Sequence, residues 1–270
     1  MSDDHPVLSA SARPPDRTEV TGPAASDLYD VWEPSPGRAD RPERGLTLAL
    51  LHGGFWREQY DRSHLSPVAA ALAADGYHVA NLEYSRIGMP GGGWPGTGTS
   101  VRGRLEQVLA DPNLPDRAVV IGHSAGGHLA LWLASQPDLG PDTQGSEHTG
   151  LVGAVALAPA ADLREVHRLG LSKDAAVALL GGTPEQHPEA WADADPGALH
   201  VTVPTVVLTG GRDDDVPRSV TTAYREGRQP DERVTFGEIA NADHYDLIDP
   251  SHEAYLTVLA HLEQLELDLR

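Results

Sequence analysis

The chain has 270 residues, a formal net charge of −20 and no cysteine. So acidic a surface repels nucleic acid and anionic membranes, and the missing thiols exclude disulfides, thiolate zinc sites and cysteine nucleophiles. With 40% hydrophobic and 22% charged residues, the composition suits one large globular α/β domain with a well-buried core.

In chain order, the first 25 residues are polar and rich in Pro, Asp and Ser. They lack the basic start and apolar stretch of a secretory signal, so a mobile arm is expected over residues 1–25, and a cytoplasmic location with it. Strands are predicted at Leu28–Trp32 and Leu46–His52, then a helix over Leu65–Ala74 that stops near Gly76. Tyr77–Tyr84 reads as a strand, residues 89–99 as a Gly-rich loop carrying Trp94 and Pro95, and Val101–Ala110 as a helix. The apolar run Ala118–Ile121 leads straight into Gly122-His123-Ser124-Ala125-Gly126-Gly127 and a helix through Ser135. Val152–Leu157, Thr205–Leu208 and Val234–Glu238 read as further strands, and Ser251–Leu267 as a closing helix. No stretch reaches the about 20 apolar residues that span a bilayer.

Apolar strands alternating with helices predict a mostly parallel central sheet flanked by helices on both faces, spanning residues 26–270. The stretch Asp162–His200 is too long for a plain crossover and holds several short helical pieces. It is expected to form a small cap over residues 162–200 that limits the size of what enters the site.

Gly122-x-Ser124-x-Gly126 gains meaning from its context. A strand precedes it and an alanine- and leucine-rich helix follows, which is the strand–turn–helix a nucleophile elbow needs. The turn forces the serine into a strained conformation, and bare glycines let neighbouring backbone approach. Ser124 is therefore the candidate nucleophile. His52-Gly53-Gly54-Phe55-Trp56 also follows a strand, and its bare backbone can aim N–H groups at a carbonyl oxygen together with that of Ala125. Gly53, Gly54, Phe55 and Ala125 are the candidate oxyanion hole, with His52 organising the loop. Downstream, Asp213-Asp214-Asp215 follows a strand and Asn241-Ala242-Asp243-His244 follows the last one. Acid after serine and histidine last gives Asp213 and His244, with Asp214 as a competing acid because three adjacent carboxylates blur the register.

Trp56 and Trp94 sit on loops at the sheet end where open α/β sheets place ligands, so each is a candidate pocket wall or a support packed beneath a loop. Trp132 reads as core. Gly91-Gly92-Gly93-Trp94-Pro95-Gly96 fits a dinucleotide fingerprint in form only, since Pro95 removes a needed N–H. His123 and His128 lack the spacing of a zinc helix.

These residues together resemble a known group. Leu51–Trp56, Gly122–His128, Gly210-x-x-Asp213-x-x-Val216-Pro217 and Ala242–Asp246 are similar to the α/β-hydrolases grouped with kynurenine formamidase (arylformamidase), BD-FAE-type esterases and the hormone-sensitive-lipase-like carboxylesterases. The resemblance covers roughly residue 27 onward. It implies the α/β-hydrolase fold, a Ser124–Asp213–His244 triad, no cofactor or metal, and a small-molecule ester or N-acyl amide as substrate. Acylaminoacyl-type peptidase activity and a catalytically silent binding role are the alternatives.

Overall fold

The computed structural model describes residues 5–34, 44–141 and 149–269. Its frame is an eight-stranded sheet: β1 (Arg17–Val20), β2 (Leu28–Trp32), β3 (Thr47–Leu51), β4 (His78–Leu82), β5 (Arg117–His123), β6 (Gly150–Leu157), β7 (Thr205–Gly210) and β8 (Val234–Ile239). The spatial order is β1-β2-β4-β3-β5-β6-β7-β8. β1 and β2 pair antiparallel, as do β2 and β4, and every other neighbour is parallel.

Side chains alternate across each strand and so feed two cores. Ala49 and Leu51 of β3 and Val120 of β5 enter one, while Leu48, Leu50, Val119 and Ile121 enter the other. On the first face lie α2 (Gly96–Leu109) and α3 (Ala125–Leu133); on the second lies α1 (Ser66–Ala74). α1 ends as its sequence predicts: the N–H of Gly76 bonds the carbonyl of Ala73, and that of Tyr77 the carbonyl of Leu72.

The stretch after β6 holds α4 (Leu163–Arg168), α5 (Leu171–Leu180) and α6 (Pro188–Ala194). Ser172, Lys173 and Asp174 take left-handed φ values of 48°, 57° and 55°, so the right-handed part of α5 begins after them. α7 (Arg218–Glu226), absent from the sequence reading, buries the neighbours Val220 and Thr221 and, one helical turn on, Tyr224. The closing helix α8 (Ala254–Asp268) covers the second face with Tyr255, Val258, Leu262 and Leu265.

The N-terminal part differs from the mobile arm expected over residues 1–25. β1 forms an edge of the sheet, and its residues alternate half-buried and exposed. That polar-looking pattern is what a strand with one wet face shows. Ahead of it, Trp32 Nε1 donates to the carbonyl of Arg13 at 2.9 Å, and a 3-10 turn over Pro6–Ser9 buries Val7 to 2% exposure. Among the described residues, no helix is long and apolar enough to cross a membrane.

Candidate active site

β5 ends at His123 and α3 begins at Ala125, leaving Ser124 alone at the junction with φ 57° and ψ −117°. A non-glycine residue held there stores strain of about 1–3 kcal/mol, and the surroundings must enforce it. They do so through backbone. The Ser124 N–H bonds the Leu157 carbonyl at 2.9 Å, and its carbonyl accepts from His128 N at 3.1 Å and Ala160 N at 3.2 Å. A Cβ on Gly126 would run into the carbonyls of Leu51 and His52, and one on Gly122 into that of Gly126. The glycines therefore allow α3 to pack directly against the ends of β3 and β5. As the first residue of α3, Ala125 has an N–H without an intrahelical acceptor.

The loop after β3 lies against this elbow. A Cβ on Gly53 would come within 2.9 Å of Ser124 Cβ. The backbone then turns left-handed through Gly54, Phe55 and Trp56, with φ of 105°, 47° and 57°. This turn presents bare backbone to the cavity and drops both rings inward. His52 holds its base: Nε2 lies 2.9 Å from Glu83 Oε1, and the ring stacks on Tyr84 at 4.4 Å. Burial alone would raise the Glu83 pKa, but its hydrogen bond with His52 and nearby cations hold it below the usual value.

Asp213 and His244 come from the loops after β7 and β8. Asp213 Oδ2 accepts from His244 Nδ1 at 2.8 Å, while its Oδ1 accepts the N–H groups of Asp215 at 2.9 Å and Val216 at 2.8 Å. A carboxylate can only accept, so Nδ1 carries a proton, and in the neutral ring the lone pair is on Nε2. Asp214 is exposed, and of the three adjacent carboxylates it is Asp213 that meets the His244 ring. Ser124 and His244 line one small cavity with Gly53, Gly54, Tyr60 and His64. The volume available there is about 20 Å³, near the minimum of about 10–15 Å³ for a single water. No residue of the 162–200 segment lines it.

The two tryptophans read as pocket wall or as support are not among the residues lining this cavity. Trp56 is 0% exposed and donates its indole N–H to His128 Nδ1 at 3.2 Å. Trp94 meets Trp132 edge-on at 5.1 Å and donates to Asp193 Oδ2 at 2.7 Å. Both rings pack as supports, because the left-handed turn and the acceptors on α3 and α6 draw them away from Ser124.

Three histidines carry roles that the sequence did not reveal. His128 Nε2 donates to the Ala194 carbonyl at 2.9 Å, so its ring links the Trp56 loop to α6; burial pushes it down to about 4. His123 Nε2 donates to the His244 carbonyl at 2.9 Å and so fixes the histidine loop. Burial, with His244 close by, holds His123 well below its ordinary value, and its buried Nδ1 has no hydrogen-bond partner among the described residues. His64 is pushed down to about 3 by burial and by His52. Only the folded backbone brings these rings together, and no spacing in the chain signals it.

A mostly parallel sheet with a strained serine between its fifth strand and the following helix defines the α/β-hydrolase class. Within it, the family model described as BD-FAE matches residues 39–226, and the chain belongs to that family. No curated protein sequence matches. A truncated carbohydrate esterase from gut microbiota is similar, with a TM-score of 0.72 and 16% identity over 94% of this chain and 100% of that one. Esterase B from Lactobacillus rhamnosis is similar too, at TM-score 0.70 and 17% identity over 96% of this chain and 88% of that one. The bifunctional GH43-CE protein from Bacteroides eggerthii superposes at TM-score 0.71 and 17% identity over 89% of this chain, which spans 36% of it. At such identities the likeness speaks for the fold.

Proposed function

We propose that this protein is a serine hydrolase that cleaves a small carboxylic ester through an acyl-enzyme on Ser124. The observation that carries this reading is the strained Ser124 sharing one cavity with His244, whose Nδ1–H is held by Asp213. His244 Nε2 takes the Ser124 proton as Oγ bonds the carbonyl carbon. The C–O bond of the ester then breaks, and the same proton passes to the departing alkoxide. Water, deprotonated by His244, then attacks the acyl carbon; the bond to Ser124 Oγ breaks, the proton on His244 returns to Oγ, and the acid leaves. Ser124 Oγ has no hydrogen-bond partner among the described residues, and in free enzymes the nucleophile–base contact is often long until substrate binds.

Negative charge on the carbonyl oxygen would meet the N–H of Ala125 and those of Gly54 and Phe55 on the turn beside Gly53. One donor of this kind is worth about 2.7–4 kcal/mol in the transition state. An ester is favoured over an N-formyl aryl amide on two grounds. The neighbours named above are esterases, and the buried Trp56 ring offers no stacking face. Turnover of p-nitrophenyl acetate by the purified protein tests this reading. Ser124→Ala should lower kcat by about 10⁶-fold, the loss seen when a triad nucleophile is removed. Retention of most activity in Ser124→Ala would end the proposal.

A further inference from the structure

One wall of the Ser124 cavity comes from far outside the rest of the site. The other lining groups are the bare backbone of Gly53 and Gly54, the reacting Ser124 and His244, and the rings of Tyr60, His64, His123 and Tyr245. Leu8 is the one aliphatic side chain among them. It stands on the 3-10 turn Pro6–Ser9, outside residues 39–226 of the family match.

Several contacts fix this turn over the cavity. Val7 is buried to 2% exposure in the core on the α1 and α8 side of the sheet, and Leu8 packs against the same core. His5 stacks on Tyr245 at 5.4 Å with an interplanar angle of 30°. Its Nδ1 accepts the Val7 N–H at 3.3 Å, so Nε2 carries the proton and faces Asp246 Oδ1 at 3.5 Å and Asp243 Oδ1 at 3.8 Å. These two carboxylates flank the loop that carries His244. The turn is therefore attached to the helical face, to a ring at the cavity and to the histidine loop.

Resting on the ester-hydrolase reading above, we propose that Leu8 is a specificity-determining residue that bounds the cavity and restricts the protein to compact esters. An aliphatic wall beside about 20 Å³ of space leaves little room for a long chain. It offers no hydrogen bond to a polar one. An aliphatic side chain neither transfers a proton nor donates a hydrogen bond, so the effect of Leu8 is on size selection.

The test measures kcat/KM along two ester series in the full-length protein. One series is p-nitrophenyl esters from acetate to octanoate, and the other is acetate esters of methanol through hexanol. Leu8→Ala removes three side-chain carbons. The room gained by one to two methylenes of substrate should raise the large-to-small ratio of at least one series by about tenfold. Leu8→Trp should lower the same ratio. Both variants keeping both profiles within about twofold of the wild type would overturn the inference. Absence of any Ser124-dependent turnover in the wild type would instead overturn the ester reading, and this inference with it.

Discussion

Asp213→Asn isolates the most specific geometric claim about the site. The asparagine can keep its carbonyl oxygen at the position of Oδ1, where it accepts the N–H groups of Asp215 and Val216 as the carboxylate does at 2.9 and 2.8 Å. Its amide nitrogen then occupies the position of Oδ2, 2.8 Å from His244 Nδ1. An amide donates where the carboxylate accepted, so Nδ1 must surrender its proton to Nε2. The ring then presents an N–H to Ser124 in place of a lone pair and can no longer act as a base. The matching change in a serine protease costs about 10⁴ in kcat, which is about 5.5 kcal/mol. Because both backbone bonds survive, the midpoint of thermal unfolding should shift by no more than a few degrees. The assay is hydrolysis of p-nitrophenyl acetate beside the exposed control Asp214→Asn, which should stay within about threefold of the wild type. More than a tenth of the activity in Asp213→Asn, or an equal loss in Asp214→Asn, would refute the assignment.

Three further predictions concern packing and charge. Trp56→Ala should destabilise the fold by about 3–5 kcal/mol through the void it leaves; Trp94→Ala, at a half-buried site, should change kcat/KM for aryl and alkyl esters by the same factor, and a selective loss on the aryl ester would put Trp94 back at the pocket. Asp195, 1% exposed, is pushed up to about 6 by burial and by Asp162 beside it, against the backbone N–H bonds of Leu163 and Gly197. Its folded pKa thus lies above the unfolded one, so the stability of the neutral form is present below about pH 4 and is lost as pH rises through 6. Asp195→Asn keeps the acceptor for both N–H groups and removes the buried charge. It should raise the unfolding midpoint by about 6 °C at pH 8, from about 2–3 kcal/mol. That gain should vanish near pH 4, and an equal gain at both pH values would contradict the account.

The parts of the site that the sequence shows are those with a local physical signature. Ser124 stands out because a strand, bare glycines and a helix must all coincide for the elbow to form. Asp213 and His244 are narrowed by their places after β7 and β8, yet the choice among three adjacent carboxylates needs the fold, which buries one against Nδ1 and leaves Asp214 in solvent. Trp56 misleads for the same reason. Its loop position is evident, but the left-handed turn through Gly54–Trp56 and the Nδ1 acceptor on His128 are tertiary facts. β1 is hidden because an edge strand with alternating wet and half-buried positions reads as polar chain. The N-terminal turn goes unseen because Val7 and Leu8 are isolated apolar residues in polar surroundings, with no period to mark them. The 162–200 stretch does carry several short helices, but none of its residues is among those lining the Ser124 cavity, where Leu8 is.

Hydrolysis by this route requires that Ser124 Oγ become covalently attached to the acyl group. The direct measurement is the intact mass of the protein after reaction with a small p-nitrophenyl phosphonate, followed by peptide mapping. One adduct per chain is expected, on the peptide containing Ser124, with no labelling of Ser124→Ala. An unlabelled wild type, or an adduct that persists in Ser124→Ala, would contradict it.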